Sequence, residues 1–204
     1  MEKFENIIFD LGGVILDVDY NLTRAAFEKL GVSNFDQMYS QANANKLFQK
    51  LETGEIDEEE FYKELNVCTG LHLSTAEIKK AWNAMLLSFR EGSLQFLEEI
   101  RSKYKVYLLS NTNLIHWNAF QESFHSKKRA KPFEEYFDKA FYSFKMGLRK
   151  PDEEIFHAVL KELQIDPKKT VFIDDSVQNI EAAKKAGLQT ILLTPDLKIE
   201  DLNL

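Results

Sequence analysis

Residues 5–16 read Glu5-Asn6-Ile7-Ile8-Phe9-Asp10-Leu11-Gly12-Gly13-Val14-Ile15-Leu16. The run Ile7-Ile8-Phe9 is short, β-branched and aromatic, and it ends on a carboxylate followed by two glycines. A run of this kind predicts a buried strand rather than a helix. Gly12 and Gly13 permit a sharp turn and a close approach of backbone to whatever lies there. Asp10 is therefore expected at the C-terminal tip of a strand, where open α/β sheets place their ligands. Taken alone, it reads equally well as the start of a turn.

The same pattern returns further along the chain. Lys105–Ser110, Ala140–Ser143, Thr170–Ile173 and Gln189–Leu193 are short apolar runs that predict four more strands. Helical periodicity lies between them, at 94–100, at 152–163 with Pro151 near its first position, and from about Val177 to Lys185 before Gly187. Residues 114–136 are left unassigned, with Lys127-Lys128-Arg129 on a solvated loop. Strands joined by single helices predict an α/β fold with a doubly wound parallel sheet and right-handed crossovers.

The interval between the first two strands is different. It shows only helical periodicity, through Met38, Ala42, Asn45 and Leu47-Phe48 to Leu51, then from Asp57-Glu58-Glu59-Glu60, then from the capping-box sequence Ser74-Thr75-Ala76-Glu77 to Trp82 and Leu86. Asp19 or Asn21 is expected to cap a helix through Leu30. The expected organisation is a core of residues 1–16 and 89–204 with a small helical bundle, 17–88, inserted after the first strand.

Composition narrows the function. At 204 residues, 44% apolar and 29% charged, the chain can bury a substantial core. A net charge of −7 gives no general attraction to nucleic acid or acidic membranes. Cys68 is the single cysteine, so an intrachain disulfide framework is excluded and a packing role is expected. There is no apolar signal core at the N-terminus and no run long enough to span a membrane, so a cytoplasmic location is expected.

Asp10, Ser110 and Asp174-Asp175 each end a predicted strand, and Lys150 opens a helix after another. In a parallel sheet these points share one edge. Singly, each has a plainer reading as a cap or a surface residue; together they make a site. Three acids offer hard oxygens suited to Mg²⁺ and would repel one another without a cation. Ser110, Asn111 and backbone N–H groups can grip a phosphate, and Lys150 supplies a point charge. The chemistry indicated is phosphoryl transfer to a carboxylate nucleophile.

The segments Ile7–Val14, Leu108–Thr112, Arg149–Asp152 and Val171–Ile180 resemble the haloacid dehalogenase superfamily, and within it bacterial sugar-phosphate phosphatases of the glucose 1-phosphate type. The resemblance implies a Rossmann-like core, a helical cap over small phosphorylated metabolites, and Asp10 as a nucleophile forming an aspartyl-phosphate. It implies Mg²⁺ held by Asp10, the Gly12 carbonyl and Asp175, with Asp174 direct or adjacent and Asn179 in support. Ser110, Asn111 and the Gly12 backbone would bind phosphate, and Lys150 would neutralise charge.

One departure stands out. Phosphatases of this family usually carry a second Asp two residues after the nucleophile, where this chain has Gly12. A dehalogenase working through an aspartyl ester without metal, or a non-catalytic binding member, therefore stays open. A missing acid would favour esters with good leaving groups. Asp17, Asp19, Tyr20, His116 and Trp117 are candidates for the substrate side by position, with His116 or Asp17 as replacement base.

Overall fold

The computed structural model describes residues 4–33, 35–36, 46–202 and 204. Five strands form one parallel sheet: β1 (Asn6–Phe9), β4 (Lys105–Ser110), β5 (Lys139–Tyr142), β6 (Thr170–Asp174) and β7 (Gln189–Leu192), in the order β5-β4-β1-β6-β7. β1 is central, pairing Ile7 with Val106 on one side and Val171 on the other.

Side-chain alternation gives the sheet two buried faces. Ile7, Phe9, Leu108 and Ile173 face α5 (Glu91–Ile100) and α6 (Leu114–Ser126). Ile8, Leu109 and Phe172 face α8 (Glu153–Leu163) and α9 (Val177–Lys185). Helices on both faces complete the doubly wound α/β architecture.

Between β1 and β4 the chain makes a helical excursion. Its helices are α1 (Tyr20–Lys29), α2 (Leu47–Glu52), α3 (Glu58–Thr69) and α4 (Thr75–Trp82). Asp19 caps α1, Asp57 caps α3, and the Ser74–Glu77 capping box at α4 is complete. These helices pack around Phe27, Phe48, Phe61, Leu65 and Trp82, with Ile115 of α6 closing the cluster and Cys68 at its margin. Of the residues expected to be helical before Gly54, Met38, Ala42 and Asn45 lie outside the described ones.

The ends of the excursion depart from a purely helical reading. β2 (Leu16–Val18) and β3 (Leu86–Phe89) form an antiparallel ribbon separate from the main sheet. Arg90 pins it, donating from its backbone to Ile15 and from Nε to Asp17 at 2.6 Å. Residues 114–126, unassigned from sequence, are a helix capped by Asn113. Ser143 opens a short helix, α7 (Ser143–Met146), instead of ending a strand. Asp152 is the N-cap of α8, so Pro151 precedes the cap rather than starting the helix. Among the described residues no helix is long and apolar enough to cross a membrane.

Candidate active site

β1, β4 and β6 are adjacent and parallel, so their C-terminal ends share one sheet edge. Asp10 follows β1 directly, its N–H donating to the Ile173 carbonyl at 2.9 Å. Ser110 and Asp174 end β4 and β6. Lys150, between α7 and α8, reaches into the gap and is 1% exposed. Its Nζ donates to Asp10 Oδ1 at 2.6 Å, Asp174 Oδ2 at 2.7 Å and the Leu109 carbonyl at 2.9 Å. An ammonium has three N–H donors, and all three are spent. In this arrangement Lys150 positions two acids and supplies charge without a donor left for a ligand.

Burial lifts Asp10 to about 7, helped by the neighbouring Asp174 and opposed by Lys150. Burial pulls Lys150 down, but Asp10 and Asp174 outweigh it and its pKa is raised. Two acids bracketing one cation explain the lysine's shift, since it is doubly stabilised, whereas for Asp10 burial outweighs the lysine.

Asp174 is fully buried and fully partnered. Its Oδ1 accepts from the Ser176 N–H at 2.8 Å, and Asn179 Nδ2 lies 3.0 Å from each carboxylate oxygen. Asp175 is exposed, and its pKa is raised by partial burial and by Asp174. Ligand atoms of Asp10, Asp174 and Asp175 all lie within 4.8 Å of one another.

Gly13 makes room for this cluster. Its φ is +72°, and a Cβ there would stand 2.0 Å from Asp175 Oδ2. Gly13→Ala should therefore lower stability by about 1–2 kcal/mol from backbone strain and displace Asp175. Thermal unfolding with and without Mg²⁺ checks this: the variant should melt lower and gain less from the metal.

Asn111, expected to grip phosphate, spends its carboxamide on the chain. Oδ1 accepts from the Lys150 N–H at 2.9 Å and Nδ2 donates to the Lys150 carbonyl at 2.8 Å. It acts as a brace for the lysine segment. Ser110 Oγ is buried and, among the described residues, makes only a long 3.5 Å contact with the Asn111 carbonyl.

The acids open onto a chamber of about 370 Å³ whose wall includes Asp10, Gly12, Lys150, Asp175 and Asn179. Two further residues, Glu52 and Arg149, line it and were missed in the sequence. They form an ion pair, Arg149 Nε to Glu52 Oε2 at 2.8 Å, between the helical excursion and the core. Burial raises the pKa of Glu52, and Arg149 restrains it. Four acids here meet two cations, an excess that a divalent cation would balance. Clustered hard oxygens with no sulfur or free imidazole suit Mg²⁺, and Asp10, Asp174 and Asp175 are the residues able to hold it.

The remaining candidates have other duties. His116 is buried, stacks on Trp82, and engages the Trp82 carbonyl through Nε2 at 3.1 Å and Asn113 Nδ2 through Nδ1 at 3.2 Å. Burial lowers it to about 4, so it is neutral, and both nitrogens are taken. This leaves it no lone pair to act as base. Asp17 holds Arg90, Asp19 caps α1, and Trp117 packs against the core beneath Lys145. Tyr20, largely exposed, does line the chamber.

Comparison with known proteins agrees with this geometry. The haloacid dehalogenase-like hydrolase family matches residues 4–187. The D-ribitol-5-phosphate phosphatase of Bacteroides thetaiotaomicron is 37% identical, over 91% of this chain and 90% of its own. The phosphorylated carbohydrates phosphatase of Thermotoga maritima is 28% identical, over 92% and 83%. A HAD-family enzyme of B. thetaiotaomicron, solved as a complex with magnesium and inorganic phosphate, superposes with a TM-score of 0.88 at 35% identity, covering 98% of this chain and all of its own. A family match across almost the whole chain, with the strand-edge acids and buried lysine in place, means that this protein belongs to the haloacid dehalogenase-like hydrolases.

Proposed function

We propose that the protein is a Mg²⁺-dependent phosphomonoesterase acting on a small phosphorylated sugar or polyol through an aspartyl-phosphate on Asp10. The observation that carries this reading is the meeting of Asp10, Asp174 and Asp175 around the buried Lys150. The names of the similar phosphatases support the substrate class. A dehalogenase ester mechanism has no use for three clustered acids, which weighs against that alternative.

Lys150 fixes Asp10 Oδ1, which leaves Oδ2 as the attacking atom. A bond forms from Oδ2 to phosphorus as the ester P–O bond breaks, and the alkoxide leaves and takes its proton from water. Water then cleaves the acyl phosphate, releasing inorganic phosphate and restoring Asp10. Asp174, held by Asn179 and Ser176, keeps Lys150 in place throughout. A bound Mg²⁺ would screen the negative charge shared by the acids and the phosphoryl oxygens. Residues 17–88 act in this reading as a cap that excludes water when closed. The direct test is a panel of phosphorylated metabolites with Mg²⁺ or with a chelator; no hydrolysis of any ester in Mg²⁺ would refute the reading.

The metal also bears on stability. The Asp10 pKa rises from 3.8 to about 7 on folding, so the folded state holds this proton more tightly than the unfolded chain. The stability of the metal-free protein should then fall as pH rises across that interval. Mg²⁺ competes with the proton, so its stabilising effect should be larger at pH 7.5 than at pH 5. Melting temperatures at the two pH values, with and without Mg²⁺, check this.

Gly12 is outside the left-handed region, and a Cβ there would sit 3.4 Å from Val18 Cγ2, an ordinary contact. Gly12→Asp should therefore fold and supply the absent acid. Turnover of an alkyl ester should rise by about 10²-fold, and an aryl ester much less, since its leaving group departs without a proton. Equal effects on both would remove the leaving-group argument. Ribitol 5-phosphate, a primary-alcohol ester, belongs on the panel beside glucose 1-phosphate, because a similar phosphatase is named for it.

A further inference from the structure

The chamber at Asp10 has a neighbour. A second cavity of about 250 Å³ lies between the helical excursion and the core, and the two share Tyr20, Glu52 and Asn111 in their walls. Its inner wall includes Phe48, Trp82 and Met85. Arg24 and Asp36, an ion pair, also line it, and the buried Trp82 Nε1 has no hydrogen-bond partner among the described residues. Several of its other polar groups are committed within the chain. Thr23 Oγ1 donates to the Trp82 carbonyl and accepts from the Met85 N–H, and Asn113 and His116 bond to each other. At the junction, Asn111 is committed to the Lys150 backbone.

Glu52 differs from these groups. Its Oε2 is held by Arg149, and its Oε1 makes no hydrogen bond among the described residues. The turn that carries it is seated on the core: Gly54, at φ +70°, lies so close to the Phe144 carbonyl that a Cβ would stand 2.4 Å from its oxygen. Glu52 thus sits on a fixed support, half-buried, at the passage from the acids to the aromatic cavity.

We propose that Glu52 selects the organic part of the substrate, accepting a hydrogen bond from a hydroxyl beside the phosphoester and excluding a second anionic group at that point. The inference rests on the phosphatase reading and narrows its sugar-or-polyol class through one residue: monophosphates of neutral polyhydroxy alcohols, as against phosphorylated acids and bisphosphates. A partly desolvated carboxylate with one free oxygen serves both purposes: Arg149 offsets part of the charge at Oε2, while Oε1 rewards a donor and meets an anionic group, which cannot donate, unfavourably. The adjoining cavity offers the carbon chain the aromatic faces of Phe48 and Trp82 and, in Arg24 and Asp36, polar groups for its remaining hydroxyls.

The test uses two esters of the same skeleton, glycerol 3-phosphate and 3-phosphoglycerate, with 4-nitrophenyl phosphate as a general phosphatase substrate. Wild-type protein in Mg²⁺ should show a higher kcat/KM for glycerol 3-phosphate than for 3-phosphoglycerate. Glu52→Gln should reduce that ratio by about tenfold, by losing affinity for the first and admitting the second. Glu52→Asp keeps the charge but withdraws it, so it should still reject 3-phosphoglycerate while its KM for glycerol 3-phosphate rises. Melting temperatures establish that the variants are folded. Equal wild-type kcat/KM for the two esters overturns the proposal without any variant, and so does an unchanged ratio in folded Glu52→Gln. If wild type fails even on 4-nitrophenyl phosphate, the phosphatase reading falls and this proposal with it; hydrolysis of that ester with no discrimination between the other two sinks this proposal alone.

Discussion

The Asp10→Asn protein is expected to fold, to keep Lys150 paired with Asp174, and to lose phosphate-ester turnover by about 10⁴-fold or more. Asparagine preserves the shape of the side chain, and its amide oxygen can still accept from Lys150. What it lacks is an anionic oxygen to attack phosphorus. Because Asp10 also contributes to the acid cluster, Mg²⁺ affinity should fall in the same variant, so turnover must be measured at saturating metal. Single-turnover quenching with a labelled ester separates the two effects: wild type should trap label on the chain and the variant should not. A folded, metal-loaded variant that turns over at the wild-type rate would remove Asp10 as nucleophile.

Lys150→Met is expected to destabilise the fold by about 3–5 kcal/mol, the range found when one partner of a buried ion pair is removed. For a chain of this size that is about 10 °C in melting temperature. Methionine fills similar volume, so the loss is electrostatic: Asp10 and Asp174 face each other across the space left by the ammonium. One of them must then hold a proton in the folded state, so the loss should grow as pH rises and both acids ionise. Mg²⁺ should recover part of it by replacing the missing positive charge. A variant that melts like wild type at pH 8 without metal would show that the lysine has little structural role.

Much of this was visible in the sequence for a definite reason. Asp10, Ser110 and Asp174 end short runs of Ile, Val, Leu and Phe, and a polar residue closing such a run marks a strand tip whatever its neighbours in space. Helix caps are local bonds within a few residues: the Ser74 capping box formed as read, Asp19 rather than Asn21 caps the first helix, and Asp57, read as opening a helix, caps it. The misreadings involve distant partners. Leu86–Phe89 continues the spacing of Ile78, Trp82 and Met85, and it becomes a strand because Leu16–Val18 is there to pair with it. Residues 114–126 carry Trp, His, Phe and Asn, weak helix formers with no clean stripe, and packing against the sheet decides the matter. Glu52 reads as an ordinary acid before a turn; only the fold brings it to Arg149, which stands beside Lys150 in a segment already marked as functional. Asn111 was placed at the right edge, but nothing local shows that both halves of its side-chain amide meet the Lys150 backbone, which leaves its own backbone N–H as the group that could face a phosphate.

The antiparallel ribbon has a consequence for how such a protein can change over evolutionary time. Leu16 lies opposite Phe89 and Val18 opposite Leu86, so before the chain goes on through α5 to β4 the two ends of the helical excursion are tied to each other. To the parallel sheet, everything between them is a closed loop, and the entropy of closing a loop grows only slowly with its length. Helices can therefore be added, lost or exchanged beyond the ribbon at little cost to the strands that carry the acids. If the excursion judges the substrate, as proposed, the reacting groups and the selecting part are separable parts of one chain, and a lineage could acquire a new preference by rewriting the second while leaving the first alone.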